Sequence, residues 1–213
     1  VLAHHEGMGT VVKTGAVIEG FEFQDGRLVA MQVDGHRMSV DDLVLGIGAV
    51  PDTGLASACG LGVANGVLVD ACLRTSDPSV LAIGDCASFE LPDGTRRRLE
   101  SVQNANDQAR TAAATILGRD ELYGALPWFW SEQGTMRLQM AGLVPAQATT
   151  VVRQGAREDS FTVFHVHDGR LLCAESVNAP MDHMMARKLM EGGVRVDEAR
   201  LRDVSVPLKS LLG

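Results

Sequence analysis

Nowhere in this chain of 213 residues do two cysteines stand close enough to form a C-x-x-C pair. The four that exist, Cys59, Cys72, Cys86 and Cys173, are widely scattered. A dithiol redox motif and a thiolate zinc site therefore have little support, and buried free thiols are the expectation. Also missing is any apolar run approaching the roughly 20 residues that span a bilayer. The opening residues, VLAHHEGMGT, have neither a basic segment nor a long apolar one and do not read as a secretory signal. The cytoplasmic interior is the default location. The chain lacks an initiator Met and opens in mid-pattern, as a portion of a longer protein would. Basic charge is in short supply too, with a net charge of -8. That argues against a nucleic-acid binder, which normally carries a basic face. It leaves acidic protein partners open, because a local basic patch can sit on an acidic protein.

What is present suffices for one large domain or two small ones, with 46% apolar residues to build a core. Residues 16–23, 28–33 and 37–40 alternate like strands and are separated by Asp25-Gly26 and Asp34-Gly35. D-G between alternating segments is a strong hairpin signal, so an antiparallel meander is predicted. The apolar runs 42–47, 66–70 and 80–83 are candidate buried strands. Residues 91–98 read as a polar loop whose three arginines are solvated. The clearest helix runs over 101–117, with Val102, Ala105, Ala109, Ala112, Ala113 and Ile116 at three- and four-residue spacing. Ser101 is its N-cap and Gly118 its stop. Beyond residue 122 the pattern returns to strands over 136–140, 149–153, 161–166 and 171–177, followed by a helix over 181–191. Asp168-Gly169 marks a third hairpin, and a domain break falls near 122.

Three motifs could carry chemistry. In Ala82-Ile83-Gly84-Asp85-Cys86-Ala87 a small apolar strand ends in glycine and aspartate. A carboxylate there can accept hydrogen bonds from a sugar-alcohol chain, and the glycine allows close approach, although a structural turn explains it as well. In Leu99-Glu100-Ser101-Val102-Gln103-Asn104-Ala105 a helix begins. Its first amides lack intrahelical acceptors and its dipole is positive there, which suits an anion or the electron-rich edge of a reduced flavin. Taken alone, it reads as an ordinary capped helix. In Trp128-Phe129-Trp130-Ser131 both tryptophans cluster in a chain with only 4% aromatics. Core packing and covering a planar ring explain that cluster equally well. Gly46-Ile47-Gly48 starts like a G-x-G-x-x-G fingerprint, but Pro51 occupies the third glycine position. His165 and His167 would share a strand face, yet no third ligand accompanies them and no metal site is assigned.

In this order, the segments DLVLGIGAVPDT, GLGVANGVLVDACLRTSDPSVLAIGDCAS, RLESVQNANDQARTAAATILG and PWFWSEQGTMRLQMAGL resemble the FAD-dependent ferredoxin reductases that serve Rieske-type oxygenases and bacterial haem-thiolate monooxygenases. The likeness runs from about His5 to Lys209, and PWFWS after ESVQNA is its specific part. It implies an α/β and α+β fold: residues 1–47 as the end of an NAD-binding domain with its meander, 48–122 as the returning half of a doubly wound FAD domain, and 123–213 as a C-terminal domain of mixed sheet and helix. It implies that Asp85 binds the FAD ribityl chain. The Val102 amide, beside Glu100 and Ser101, would meet the flavin pyrimidine edge, and Trp128 would lie near the isoalloxazine and nicotinamide. Gly46, Ile47 and Gly48 would border the nicotinamide nucleotide. The parent enzyme would pass electrons from NAD(P)H through FAD to a [2Fe-2S] ferredoxin. Neither of the family's two G-x-G-x-x-G motifs is present, so both cofactors would need segments beyond this chain, which alone should be inactive and self-associate. The rivals are another flavin reductase, such as an NADH oxidase or an apoptosis-inducing-factor-like protein, and a non-catalytic dimerisation or binding module.

Overall fold

The computed structural model describes residues 1–91 and 94–212, so two residues of the expected 91–98 loop, Pro92 and Asp93, lie outside the described residues. The fold mixes helix and sheet, with three sheets, and divides into two units, Val1–Ala49 and Val50–Gly213.

The first unit opens with helix α1 (Leu2–Gly7), followed by β1 (Ile18–Gln24), β2 (Arg27–Val33) and β3 (His36–Ser39) in an antiparallel meander. Asp25-Gly26 and Asp34-Gly35 turn with positive φ at both central residues (50° and 77°, 52° and 77°), the backbone state that a two-residue hairpin of this hand requires. Asp34 Oδ1 also accepts from the Val17 amide at 2.9 Å. The run 42–47, expected to be a buried strand, is neither strand nor buried. Val44 is 92% exposed and Ile47 88%. Apolar composition raises strand propensity, but a strand exists only where a neighbour accepts its ladder, and none pairs with it among the described residues.

The second unit begins with α2 (Gly54–Ala58), β4 (Val63–Ala64) and β5 (Gly66–Leu68). The expected strand over 80–83 is also absent: only a single bridge joins Leu81 to Arg74, and the chain then enters a 3-10 turn over Gly84–Cys86. The parallel partner of β5 comes directly after that turn, as β6 (Ala87–Glu90), with β7 (Arg96–Arg97) on its other side. The turn thus marks a strand's beginning, which displaces the sheet by several residues from where the apolar run suggested. Helix α3 (Val102–Ile116) follows. Ser101 caps it, accepting from the Asn104 amide at 3.1 Å, and Gly118 leaves it at φ 73°.

The helix exists where expected, but its expected apolar stripe is not its buried face. Of those six positions only Ala112 is buried; Val102 is 67% and Ile116 73% exposed. The buried side carries Asn104, Gln108, Ala112 and Thr115. Asn104, Gln108 and Thr115 are polar anchors that bond outside the helix. Gln108 Oε1 accepts from the Gly84 amide at 2.7 Å, and the Thr115 hydroxyl donates to the Cys72 carbonyl at 2.8 Å. Asn104 donates to the Leu99 carbonyl and accepts from the Tyr123 hydroxyl. A buried polar group is costly unless bonded, so these bonds fix the rotation of the helix more tightly than a shallow row of alanines could.

Strands β8 (Trp128–Gln133), β9 (Met136–Gly142), β10 (Thr149–Gln154), β11 (Phe161–His167) and β12 (Arg170–Val177) form an antiparallel sheet in the order β10-β11-β12-β9-β8. The hairpin at Asp168-Gly169 is present, with φ of 49° and 69°. Helices α4 (Pro180–Glu191) and α5 (Glu198–Arg202) complete the unit. Phe164, Val166, Leu171, Leu189, Leu201 and Leu208 fill the core here. The edge position of β8 is what brings the aromatic motif towards α3.

Candidate functional site

Three segments of the second unit converge on a cleft of about 560 Å³: the turn carrying Asp85, the start of α3 with Glu100, Ser101 and Val102, and the edge strand with Phe129 and Trp130. Each segment reaches it for a local reason. Gly84 holds φ 72°, a conformation closed to most side chains, and this sharp turn presents Asp85 to solvent. A Cβ built on Gly84 would sit 3.6 Å from the Cβ of Ala105, so turn and helix touch through their two smallest residue types. Gln108 ties the same turn to the second turn of the helix. The Val102 and Gln103 amides are the first of α3 and precede any intrahelical acceptor, and Ser101 caps only Asn104.

A second hollow of about 250 Å³ adjoins the first and shares Glu100, Ser101 and Phe129 with it; Trp128 and Arg98 line this one. Trp128 lies 5.6 Å from Trp130 between ring centroids, and the Arg187 guanidinium stacks over its ring at 4.6 Å. The Trp128 indole nitrogen is a buried donor with no protein acceptor, and both ring nitrogens of His183, whose ring is 5.9 Å away, are buried without a protein hydrogen-bond partner. Burial, with Arg187 and Arg137 adding repulsion, pushes the His183 imidazolium down to about 4, so the ring is neutral near neutral pH.

Of the residues singled out in the sequence, Asp85, Glu100, Ser101 and Val102 therefore meet at one cleft. Trp128 lines its neighbour. Gly46, Ile47 and Gly48 belong to the first unit, in a stretch without helix or strand where Gly48 takes φ 94° and a Cβ at Gly46 or Gly48 would touch nothing within 4 Å. The sequence reading missed Phe129, Trp130, Ala105 and Asn106 as lining residues. The signal for Trp130 was available, since alternation along a strand puts residues 128 and 130 on the same side. His165 meets Glu175 at 2.8 Å, and among the described residues no three His, Cys, Asp or Glu side chains gather as a metal site. No helix among the described residues is long and apolar enough to cross a membrane.

The cleft suits a ligand with a planar ring, hydroxyls and an electron-rich edge. It offers a carboxylate acceptor, uncommitted helix amides and two half-exposed aromatic rings. Comparison with known proteins leads the same way. A pyridine nucleotide-disulphide oxidoreductase family model matches residues 1–109, and a reductase C-terminal model matches residues 128–212. The ferredoxin reductase subunit of 5,5'-dehydrodivanillate O-demethylase from Sphingobium sp. is 42% identical, over 97% of this chain and 51% of its own length. Rhodocoxin reductase from Rhodococcus erythropolis is 41% identical, over 96% of this chain and 48% of its own. Among solved structures, a ferredoxin reductase from Rhodopseudomonas palustris superposes with a TM-score of 0.93 at 38% identity, covering 100% of this chain and 53% of that one. Putidaredoxin reductase in its covalent complex with putidaredoxin superposes equally, with a TM-score of 0.93 at 35% identity over 99% of this chain and 52% of that one. The chain spans about half the length of the curated relatives it matches.

Proposed function

This chain belongs to the pyridine nucleotide-disulphide oxidoreductase family, and on that footing we propose that it is the carboxy-terminal half of a cytoplasmic reductase carrying electrons from NAD(P)H through FAD to a [2Fe-2S] ferredoxin. In this reading residues 1–47 end the NAD-binding domain, 48–122 return to the FAD domain and 123–213 form the C-terminal domain. The observation that carries the proposal is the meeting of Asp85, the α3 amino terminus and the aromatic edge strand at one cleft.

Bound there, FAD would accept a hydride from the nicotinamide and release electrons one at a time, chemistry that no side chain of this chain supplies. The chain's own part is to bind and to shape. Asp85, acceptor-only when ionised, holds hydroxyls of the ribityl chain. The Val102 and Gln103 amides, at the positive end of a 15-residue helix, favour charge gained at the pyrimidine edge. Phe129 and Trp130, each 44% exposed, lie where a planar ring would cover them and exclude water. Gly46 to Gly48 give the backbone access a dinucleotide needs.

Two measurements test this. In the complete reductase, Asp85→Ala should weaken FAD retention by about 1–3 kcal/mol, the loss of a charge-assisted hydrogen bond. Unchanged FAD content after dialysis would remove Asp85 from the site. The 213-residue chain by itself, mixed with FAD and passed through size exclusion, should emerge colourless and self-associated, because Val44, Leu45, Ile47, Val102, Ile116 and Leu117 all present apolar surface to solvent. A yellow monomer reducing a ferredoxin with NADH would overturn that expectation.

A further inference from the structure

Arginines 96 to 98 form one run in the sequence, but the third behaves unlike the first two. Arg96 and Arg97 are exposed, while the Arg98 side chain is only 9% exposed. Its guanidinium donates to the Asp85 carbonyl at 2.8 Å, pairs with the Glu100 carboxylate and reaches Asn65 Oδ1 at 3.4 Å. Its stem packs on Gly66, where φ is 110° and an added Cβ would lie 3.1 Å from Arg98 Cδ and 2.6 Å from the Cys86 carbonyl oxygen. One buried side chain therefore joins the β4–β5 turn, the Asp85 turn and the approach to α3. Two of these carry lining residues of the cleft.

We propose that Arg98 is a positioning residue of the cofactor cleft, which holds the Asp85 turn against the start of α3 and neutralises Glu100 at the cleft's rim. The inference rests on the flavin reading of that cleft. Its electrostatic half follows from where Glu100 stands. The carboxylate lies just ahead of the N-cap, is 40% exposed and lines both hollows. Unpaired, it would itself answer the positive helix end and oppose further negative charge arriving there. Paired with Arg98, it leaves the amides of Val102 and Gln103 available to a ligand. The guanidinium's planar fork can serve a carboxylate and a carbonyl at once, which a lysine ammonium does with less geometric control.

The test uses the complete reductase loaded with FAD, and reads the midpoint potential of the bound flavin by equilibrium titration together with FAD retention on dialysis. Arg98→Met should lower the potential, because Glu100 is then uncompensated, and should weaken FAD retention. Glu100→Gln should raise the potential. The double variant should return towards the wild-type potential while still retaining FAD poorly. Arg98→Lys should keep the potential near wild type and lose part of the retention. A purely structural pair would not move the two single variants in opposite directions. If both shift the potential the same way, or neither shifts it, the proposal is overturned. Should Arg98→Met fail to fold, Glu100→Gln and Arg98→Lys still decide the matter: no rise in potential in the first, or a clear fall in potential in the second, overturns it. Wild-type protein that retains no FAD overturns the flavin reading, and this inference with it.

Discussion

Two regions of the second unit hold themselves together by different means. The five-stranded sheet with α4 and α5 closes its own core: Phe164, Leu189 and Leu201 have no exposed surface, and the buried Arg153 ties down the tail. Arg153 donates to the carbonyls of Leu201, Asp203, Val204 and Val206 at 3.0, 2.7, 3.5 and 3.0 Å, with Asp182 3.5 Å away. The region around α3 has a smaller core, centred on Val69, Leu73, Ala87, Phe89 and Ala112, and hangs on polar anchors instead. Its helix leaves Val102, Ile116 and Leu117 facing out. The contrast teaches that the region bearing the cleft can be held in place by a few specific bonds, while the sheet beside it carries the packing.

Substitutions that attack packing should therefore hit the sheet region hardest. Leu201→Ala should cost about 3–5 kcal/mol in urea unfolding, the range for a fully buried leucine whose site cannot collapse. A cost below about 1 kcal/mol would mean that α5 is not part of that core. Arg153→Met should come next, at about 2–4 kcal/mol, since it leaves four backbone carbonyls without their donor and strips Asp182 of its cation. Burial already holds the Asp182 carboxyl above its ordinary range, so part of that loss should be relieved in acid, where the group is protonated. Comparing the variant at neutral and acid pH checks this.

His183 sharpens the same contrast through pH. Its folded value near 4 lies below the ordinary 6.5, so the unfolded chain takes up a proton before the folded one does. Its contribution is complete above 6.5 and falls as pH drops towards about 4, by about 1–3 kcal/mol. His183→Phe should flatten the stability profile over that window; an unchanged slope would place the proton elsewhere. The smallest effect belongs to the anchored region. Ser101→Ala removes the cap of α3 and should cost about 1 kcal/mol, read as a shift in the urea midpoint. A shift as large as that of Leu201→Ala would erase the difference between the two regions.

Much was legible in the sequence wherever a residue's chemistry acts on its own backbone. Asp25-Gly26, Asp34-Gly35 and Asp168-Gly169 turned as written because positive φ at both positions is a local property. Helix α3 began at Ser101 and stopped at Gly118 for the same kind of reason. The cleft was legible in part: Asp85, Glu100, Ser101 and Val102 came from short motifs, each equivocal alone, and only their order suggested a common ligand. Phe129 as a wall residue was not, because nothing in the motif says that its strand lies at a sheet edge.

By itself, then, the sequence determined the turns, the helix limits and the alternation of the last strands, all set by dihedral preferences over a few residues. Tertiary structure alone decided which apolar runs became strands, since residues 42–47 and 80–83 have the composition but no partner ladder among the described residues. It also decided which face of α3 is buried, through Gln108 and Thr115 bonding to backbone 24 and 43 residues away. And it separated Arg98 from the two arginines before it. Such choices rest on free energy gained only when distant groups meet, buried hydrogen bonds and ion pairs that must be satisfied together, and no local pattern carries that information.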